Sequence, residues 1–281
     1  MDKKTASEGL GPIAILGGGN VGQALARGLL ATKRFRAADI TLTRRHVDKL
    51  AALADTGLQV SADNCAAVEH ARHVVVAVQP RQLDALLTGI RPVLDPKRHT
   101  LISVVSGVTI GQIRAQAGAG LPIVRAMPNT AIAIGQSMTC LAAQSEHRGA
   151  LEQARTLFDS VGTTLEIDES MMESATALCA CGIAFFLRSI RAASQGGIEI
   201  GFHPEEALLM AAQTAKGAAG LLMREGSHPE SEIDRVTTPR GCTIAGLNEM
   251  EHRGFSSAMI KGILTSARKA VELYRPDTRQ G

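Results

Sequence analysis

Gly17, Gly19 and Gly22 stand at G-x-G-x-x-G spacing, directly after the apolar run Ile13-Ala14-Ile15-Leu16 and at the start of Val21-Gly22-Gln23-Ala24-Leu25-Ala26. That order is strand, tight turn, helix. Gly17 permits the turn, Gly19 lets a pyrophosphate approach the backbone, and Gly22 lets helix and strand pack closely. With Asn20 and Val21, these residues aim free N–H groups and the positive end of a helix dipole at phosphate. The chemistry they predict is dinucleotide binding; a glycine-rich turn without a ligand is the plainer alternative. A second strand, Asp39 to Thr43, ends in Arg44-Arg45. An acid at this point would take a ribose 2′-hydroxyl, whereas arginine suits a 2′-phosphate. NADPH is therefore the expected cofactor, with NADH use left open. The competing reading is that both arginines open a solvated helix and pair with Asp48.

Other reactive side chains carry less. The eight histidines show no H-x-x-x-H spacing, and no metal is expected. Cys179 and Cys181 lie two apart, and such residues do not share a helix face, so they read as small packing groups. Five cysteines without a signal peptide predict free thiols in a reducing compartment, and hence a cytoplasmic location. A net charge of +3, 2% aromatics and no Trp argue against nucleic acid as a partner. No apolar run is expected to reach the ~18 residues of a membrane span.

The elements that must position these groups alternate strand and helix through residue 167. Val74 to Val78 is β-branched and apolar on both faces, as a central parallel strand requires, and it ends at Gln79-Pro80. Further strands are predicted over 58–61, 100–105, 122–126, 138–142 and 163–167, with helices between them. In an open α/β sheet, ligands bind beyond the carboxyl ends of the strands. That rule gathers Gly17 to Gly22, Val78-Gln79-Pro80, Ser106-Gly107 and Met127 to Thr130 into one crevice. From Met171 onward the pattern is helical, with a continuous helix over 171–195. The chain thus divides into a Rossmann-type α/β domain, 1–168, and an all-helical domain, 169–281. The apolar helices of the second are expected to bury their faces against another subunit, in a dimer or larger ring.

Three stretches resemble pyrroline-5-carboxylate reductase, the last enzyme of proline synthesis. They are VRAMPNTAIAIGQ at 124–136, HPESEIDRVTTPRGCTIAGLNEMEHRGF at 228–255, and AVQP at 77–80, where that family usually has A-V-K-P. The resemblance implies an NADPH-binding domain followed by a helical dimerisation domain, often in a decamer. It also implies hydride transfer to a cyclic imine carbon to give L-proline. On that resemblance, the backbone N–H groups of Arg240, Gly241 and Cys242 receive the substrate carboxylate and Thr243 is the catalytic hydroxyl at the imine nitrogen. Thr238, Met127 and Asn129 border the substrate, and Asn64 reaches the cofactor ribose. Thr243 has an equal reading as a hydroxyl that caps a helix. The sequence departs from the family at Arg240, where the signature has glycine, and at Cys179 to Phe185, where S-G-S-G-P-A-Y is usual. If the position of Arg240 has positive φ, its side chain costs ~1 kcal/mol or more. Losing the proline should leave a straighter helix. These departures keep open a reductase for a related imine or a β-hydroxy acid, the latter with Lys216 as acid–base, or an inactive NADPH-binding protein.

Overall fold

The computed structural model describes residues 10–274. An eight-stranded sheet runs β1 (Ile13–Leu16), β2 (Ile40–Thr43), β3 (Gln59–Ser61), β4 (His73–Val76), β5 (Thr100–Ser103), β6 (Ile123–Met127), β7 (Ser137–Ala143) and β8 (Gly162–Glu166). Their spatial order is β3-β2-β1-β4-β5-β6-β7-β8. Every pair is parallel except β6 with β7, which run antiparallel with Met127 opposite Cys140.

The central strands β1, β4, β5 and β6 are buried along their whole length because both faces are covered. Ile13 and Ile15 point to one face, where they meet α1 (Asn20–Ala31) and α6 (Arg148–Asp159) through Leu25, Leu29, Leu157 and Phe158. Ala14 and Leu16 point to the other, where α3 (Asn64–His70), α4 (Leu83–Ile90) and α5 (Ile110–Ala117) supply Val68, Leu87 and Ile113. Such two-sided burial is what a doubly wound parallel sheet demands. The fold is a Rossmann-type domain followed by helices. The strand order reverses at β1, and a crevice opens beyond the strand ends there. A short helix, α2 (Ala51–Ala54), continues the 3₁₀ turn Val47–Leu50 on the way to β3.

The remaining helices are α7 (Met172–Ala175), α8 (Gly182–Glu199), α9 (Pro204–Leu222), α10 (Pro229–Val236), α11 (Cys242–His252) and α12 (Phe255–Val271). Two compact units result: one holds residues up to Cys181 and again from Ser266, the other Gly182–Thr265. Residues 169–181, beyond the division expected at 168, fall in the first unit because they pack on the sheet. There Met172 and Ala175 join Met127, Cys140 and Ala142 in a small buried cluster.

Two expectations about this region need correction. Thr176–Cys181 is a π-helix, not a straight continuation, so loss of the proline did not give an uninterrupted α-helix. One cause is visible: the Thr176 hydroxyl donates to the Met172 carbonyl at 2.9 Å and competes with the regular backbone ladder. Second, the helical stretch 169–199 is long and apolar enough to cross a membrane by length and composition, its most apolar 18-residue window having a mean hydropathy of 1.5, although the sequence pattern suggested no such run.

Candidate active site

The first unit carries the candidate cofactor cleft. A cleft of about 800 Å³ opens over the ends of β1, β2 and β4, lined by Gly17, Gly18, Gly19, Thr43, Arg44, Arg45, His46, Asn64, Val78 and Gln79 among others. Gly17 has φ +115°, and a Cβ there would stand 2.5 Å from the Ala77 carbonyl oxygen. Gly22 is buried, and a Cβ would stand 2.1 Å from the Gly17 carbonyl oxygen. These two glycines are required by the turn and by the close packing of α1 beneath it. Around Gly19 a Cβ would meet nothing within 4 Å, which leaves the backbone open to a ligand.

Gly19 is also the N-cap of α1. It supplies no side-chain hydrogen bond, and the first turn contains no acid. The N–H groups of Asn20, Val21 and Gly22 are therefore left with their positive dipole uncompensated, the arrangement that binds phosphate. The loop is braced from outside. The Gly18 carbonyl accepts from the Arg44 guanidinium at 2.7 Å and from the Gln23 side-chain amide at 2.9 Å. The Gly18 N–H donates to the Thr43 carbonyl at 2.7 Å.

Arg44 and Arg45 both reach this cleft, and Arg44 serves the loop itself. Asn64 is the first residue of α3, capped by Asp63, whose carboxylate accepts from the N–H groups of Cys65 and Ala66 at 2.8 and 3.1 Å. The Asn64 carbonyl oxygen accepts from the Thr43 hydroxyl at 2.6 Å, so its NH₂ group remains the donor available to a ribose. A polar cradle with an uncapped helix end, two guanidiniums and one oriented amide fits a dinucleotide carrying an extra phosphate. Sequence reasoning missed Thr43, His46, Arg81 and Gln82 on this cleft; Thr43, as the last residue of its strand, was the legible one.

The other strand-end residues behave differently. Pro80 opens the 3₁₀ turn Pro80–Gln82, placing Gln79 at its cap. Ser106 and Met127 meet each other, the hydroxyl lying 3.8 Å from the sulfur, and neither lines the cleft. Met127 is only 3% exposed. Asn129 spends its side chain on structure: its oxygen accepts from the Ala131 N–H at 3.0 Å and its nitrogen donates to the Cys179 carbonyl at 3.3 Å. Both side chains, expected to border a substrate, are thus engaged in contacts within the fold. Arg125, 1% exposed on β6, pairs with Glu169 at 3.4 Å and Glu173 at 3.1 Å and fastens the sheet to residues 169–173.

The second unit carries the Thr-Pro-Arg-Gly turn and α11. Thr238 to Gly241 form a turn in which the Gly241 N–H donates to the Thr238 carbonyl at 2.9 Å. That bond corrects one expectation: the Gly241 N–H closes the turn and is not left for a carboxylate. Gly241 instead serves as the N-cap of α11, with no side-chain hydrogen bond at the cap. The open donors are then those of the first helical turn, from Cys242 and Thr243 onward. Arg240 has φ +61°, the left-handed conformation that the glycine of the family pattern would adopt without strain. Thr243 is the second helical residue and half-buried, and its hydroxyl does not serve as the cap. Lys216, the alternative acid–base, is exposed on α9. Among the described residues, no three His, Cys, Asp or Glu side chains gather as a metal site.

Comparison with known proteins decides which family the chain belongs to. The chain is 49% identical over 274 residues to Pyrroline-5-carboxylate reductase 2 of Dictyostelium discoideum, covering 92% of this chain and 91% of that protein. The chain belongs to the pyrroline-5-carboxylate reductase family. It is also 53% identical to Pyrroline-5-carboxylate reductase 1 of the same organism, over 93% of this chain; there it spans about half of the relative's length, 50%. Residues 169–273 match the family described as pyrroline-5-carboxylate reductase dimerisation, and residues 12–107 match NADP oxidoreductase coenzyme F420-dependent. Among solved structures, a pyrroline-5-carboxylate reductase from Coxiella burnetii superposes with a TM-score of 0.84 at 27% identity, covering 95% of this chain and 100% of that one. A pyrroline carboxylate reductase from Plasmodium falciparum, solved with NADP bound, shares the fold with a TM-score of 0.85 at 24% identity, covering 95% and 99%. Within the reductase family frame, Arg240 and the stretch Cys179 to Phe185 stand out as substitutions that the fold accommodates.

Proposed function

We propose that the protein reduces 1-pyrroline-5-carboxylate to L-proline with NADPH, the last step of proline synthesis. The observation that carries this reading is the 49% identity to a reductase matched over nearly its whole length. The uncapped start of α11 supports it from geometry. When bound, the reduced nicotinamide supplies the hydride. The residues of the chain hold and orient. The N–H groups of Asn20, Val21 and Gly22 take the pyrophosphate, Arg45 together with Arg44 takes the 2′-phosphate, and Asn64 donates to the ribose. Val78 and Gln79 supply the strand-end wall toward the nicotinamide, with Pro80 setting the turn that follows and Ser106 standing beyond the cleft, past the end of β5.

The substrate carboxylate sits on the N–H groups of Cys242 and Thr243, with the Arg240 guanidinium beside them and Thr238 at the turn. The Thr243 hydroxyl hydrogen-bonds the ring nitrogen. A protonated cyclic imine is already electrophilic, so its reduction requires orientation far more than acid catalysis. That is consistent with a site without a His–Asp or Cys–His pair. Function as a homo-oligomer in the cytoplasm completes the proposal, with the domain division at 168/169 marking where the dimerisation segment begins.

The test is NADPH consumption with 1-pyrroline-5-carboxylate, run beside NADH and beside the six-membered cyclic imine. Fast turnover on the five-membered ring is expected. Faster turnover on the six-membered ring would reassign the substrate, and cofactor binding with no turnover on either would leave a binding protein. For Thr243→Ala, kcat should fall by about 10²-fold, the scale of one lost orienting or proton-holding group, with the Kd for NADPH unchanged.

A further inference from the structure

We propose that Cys140 and Cys179 form a reversible intrachain disulfide when the protein meets a small-molecule disulfide such as oxidised glutathione, tying β7 to the π-helix. Cys140 lies on β7 in the buried cluster with Met127, Ala142, Met172 and Ala175, and Cys179 packs against that cluster from Thr176–Cys181. The two thiols are close neighbours in that cluster, each the leading influence on the other's acidity. Their two segments are also tied: the Asn129 side-chain nitrogen donates to the Cys179 carbonyl at 3.3 Å, and Met127, two residues before Asn129, pairs with Cys140 across the strands.

Access sets the order of events. Cys140 is 2% exposed, whereas Cys179 is half-buried and so is the one a reagent reaches. The Cys140 thiol beside it pulls the Cys179 thiol below its usual range, against the opposing effect of burial. Its neighbour Cys179 and burial push Cys140 up. Cys179 is thus the nucleophile and Cys140 the resolving thiol.

The Cys179 thiolate attacks one sulfur of R–S–S–R, forming a mixed disulfide and releasing R–S⁻, which takes up the proton lost by Cys179. That step removes the negative sulfur that held the Cys140 proton. Cys140 then deprotonates and attacks the Cys179 sulfur, expelling a second R–S⁻. Two protein thiols become one disulfide, and R–S–S–R is reduced to two R–SH. The π-turn is the element that can yield as the sulfurs close, because its hydrogen-bond pattern is already displaced from the α-helical one. Cys181 is excluded as the partner on the same segment, since residues two apart point to different faces.

The test is intact mass and peptide mapping under non-reducing conditions, on the full chain incubated with oxidised glutathione. The expected result is loss of two hydrogens per chain, a Cys140–Cys179 linked peptide, and full reversal by dithiothreitol. Cys140→Ser should instead accumulate a stable glutathionyl adduct on Cys179, and Cys179→Ser should form neither product. An unchanged mass, a linkage through Cys65, Cys181 or Cys242, or a Cys140→Ser protein that behaves like wild type would overturn the assignment. The readout is covalent, so it does not depend on the identity of the substrate.

Discussion

Side chains of one type do different work here according to what they touch. Arg44 and Arg45 both line the cofactor cleft, but Arg44 also holds the Gly18 carbonyl at 2.7 Å. Arg45→Ala should therefore raise KM for NADPH about 10-fold and leave KM for NADH unchanged, as expected for one lost charge-assisted phosphate contact. Arg44→Ala should raise both, because the loop that seats either pyrophosphate loses its brace. Parallel titrations of the two cofactors separate the variants, and equal effects from both would mean that neither arginine reads the 2′-phosphate. The arginine pair was legible from its place after the second strand; the brace was not, since it depends on a contact across 26 residues. His73 was not legible at all. It sits fully buried on β4, neither ring nitrogen finds a partner, and burial followed by the Arg72 charge lowers its pKa to about 4. The folded state thus keeps it neutral while the unfolded chain titrates near 6.5. Its contribution is fully present above about pH 6.5 and is lost as pH falls toward 4, by about 3 kcal/mol in all. Denaturant midpoints should show His73→Leu narrowing the stability gap between pH 7 and pH 4 by up to that amount.

At the level of elements, caps determine where the functional groups stand. Asp63 accepts two N–H groups at the start of α3, and the next residue is Asn64. Asp63→Ala should cost about 1 kcal/mol, a normal figure for a lost N-cap, and should also raise KM for NADPH as the Asn64 amide loses its fixed direction. A stability loss with unchanged KM would detach Asn64 from the cofactor. The glycine loop, the sheet and nearly every helix could be read in the sequence because each rests on local periodicity and on Gly or Pro punctuation. The π-helix at 176–181 could not, since nothing in Thr-Ala-Leu-Cys-Ala-Cys distinguishes a π-turn from an α-turn. What sets it is the Thr176 bond to Met172 together with the Asn129 hold on Cys179, one local and one distant. The start of α11 falls between these cases. Its Thr-Pro-Arg-Gly turn was legible, but the loss of the Gly241 N–H to the Thr238 carbonyl appears only once the turn is closed. The left-handed Arg240 was anticipated as a conditional cost. Arg240→Gly should therefore stabilise the turn, by under about 1 kcal/mol after the entropy that glycine loses on folding is deducted.

For the whole molecule, the two units differ in how they are held together. The first encloses two clusters on either face of the sheet and is stabilised by its own core. In the second, among Gly182–Thr265, only Gly182, Ser194 and Ala207 are fully buried. Phe186 is 61% exposed, Ile200 78%, Leu209 71% and Met223 81%. So little burial cannot offset the ordering entropy of a unit this size, so its apolar faces need a partner surface, and a match to a dimerisation family over 169–273 points to a second copy. Stability should then depend on protein concentration, because association draws the folded state forward by mass action. Sedimentation equilibrium is expected to give a dimer or a multiple of dimers, with Tm rising as the chain is concentrated. Leu209→Glu, which sets a charge on the exposed face of α9, should lower the assembled mass and remove the concentration dependence of Tm while the Rossmann-type unit keeps its NADPH affinity. A wild-type chain that sediments as a monomer with a concentration-independent Tm would show that these faces are covered in some other way.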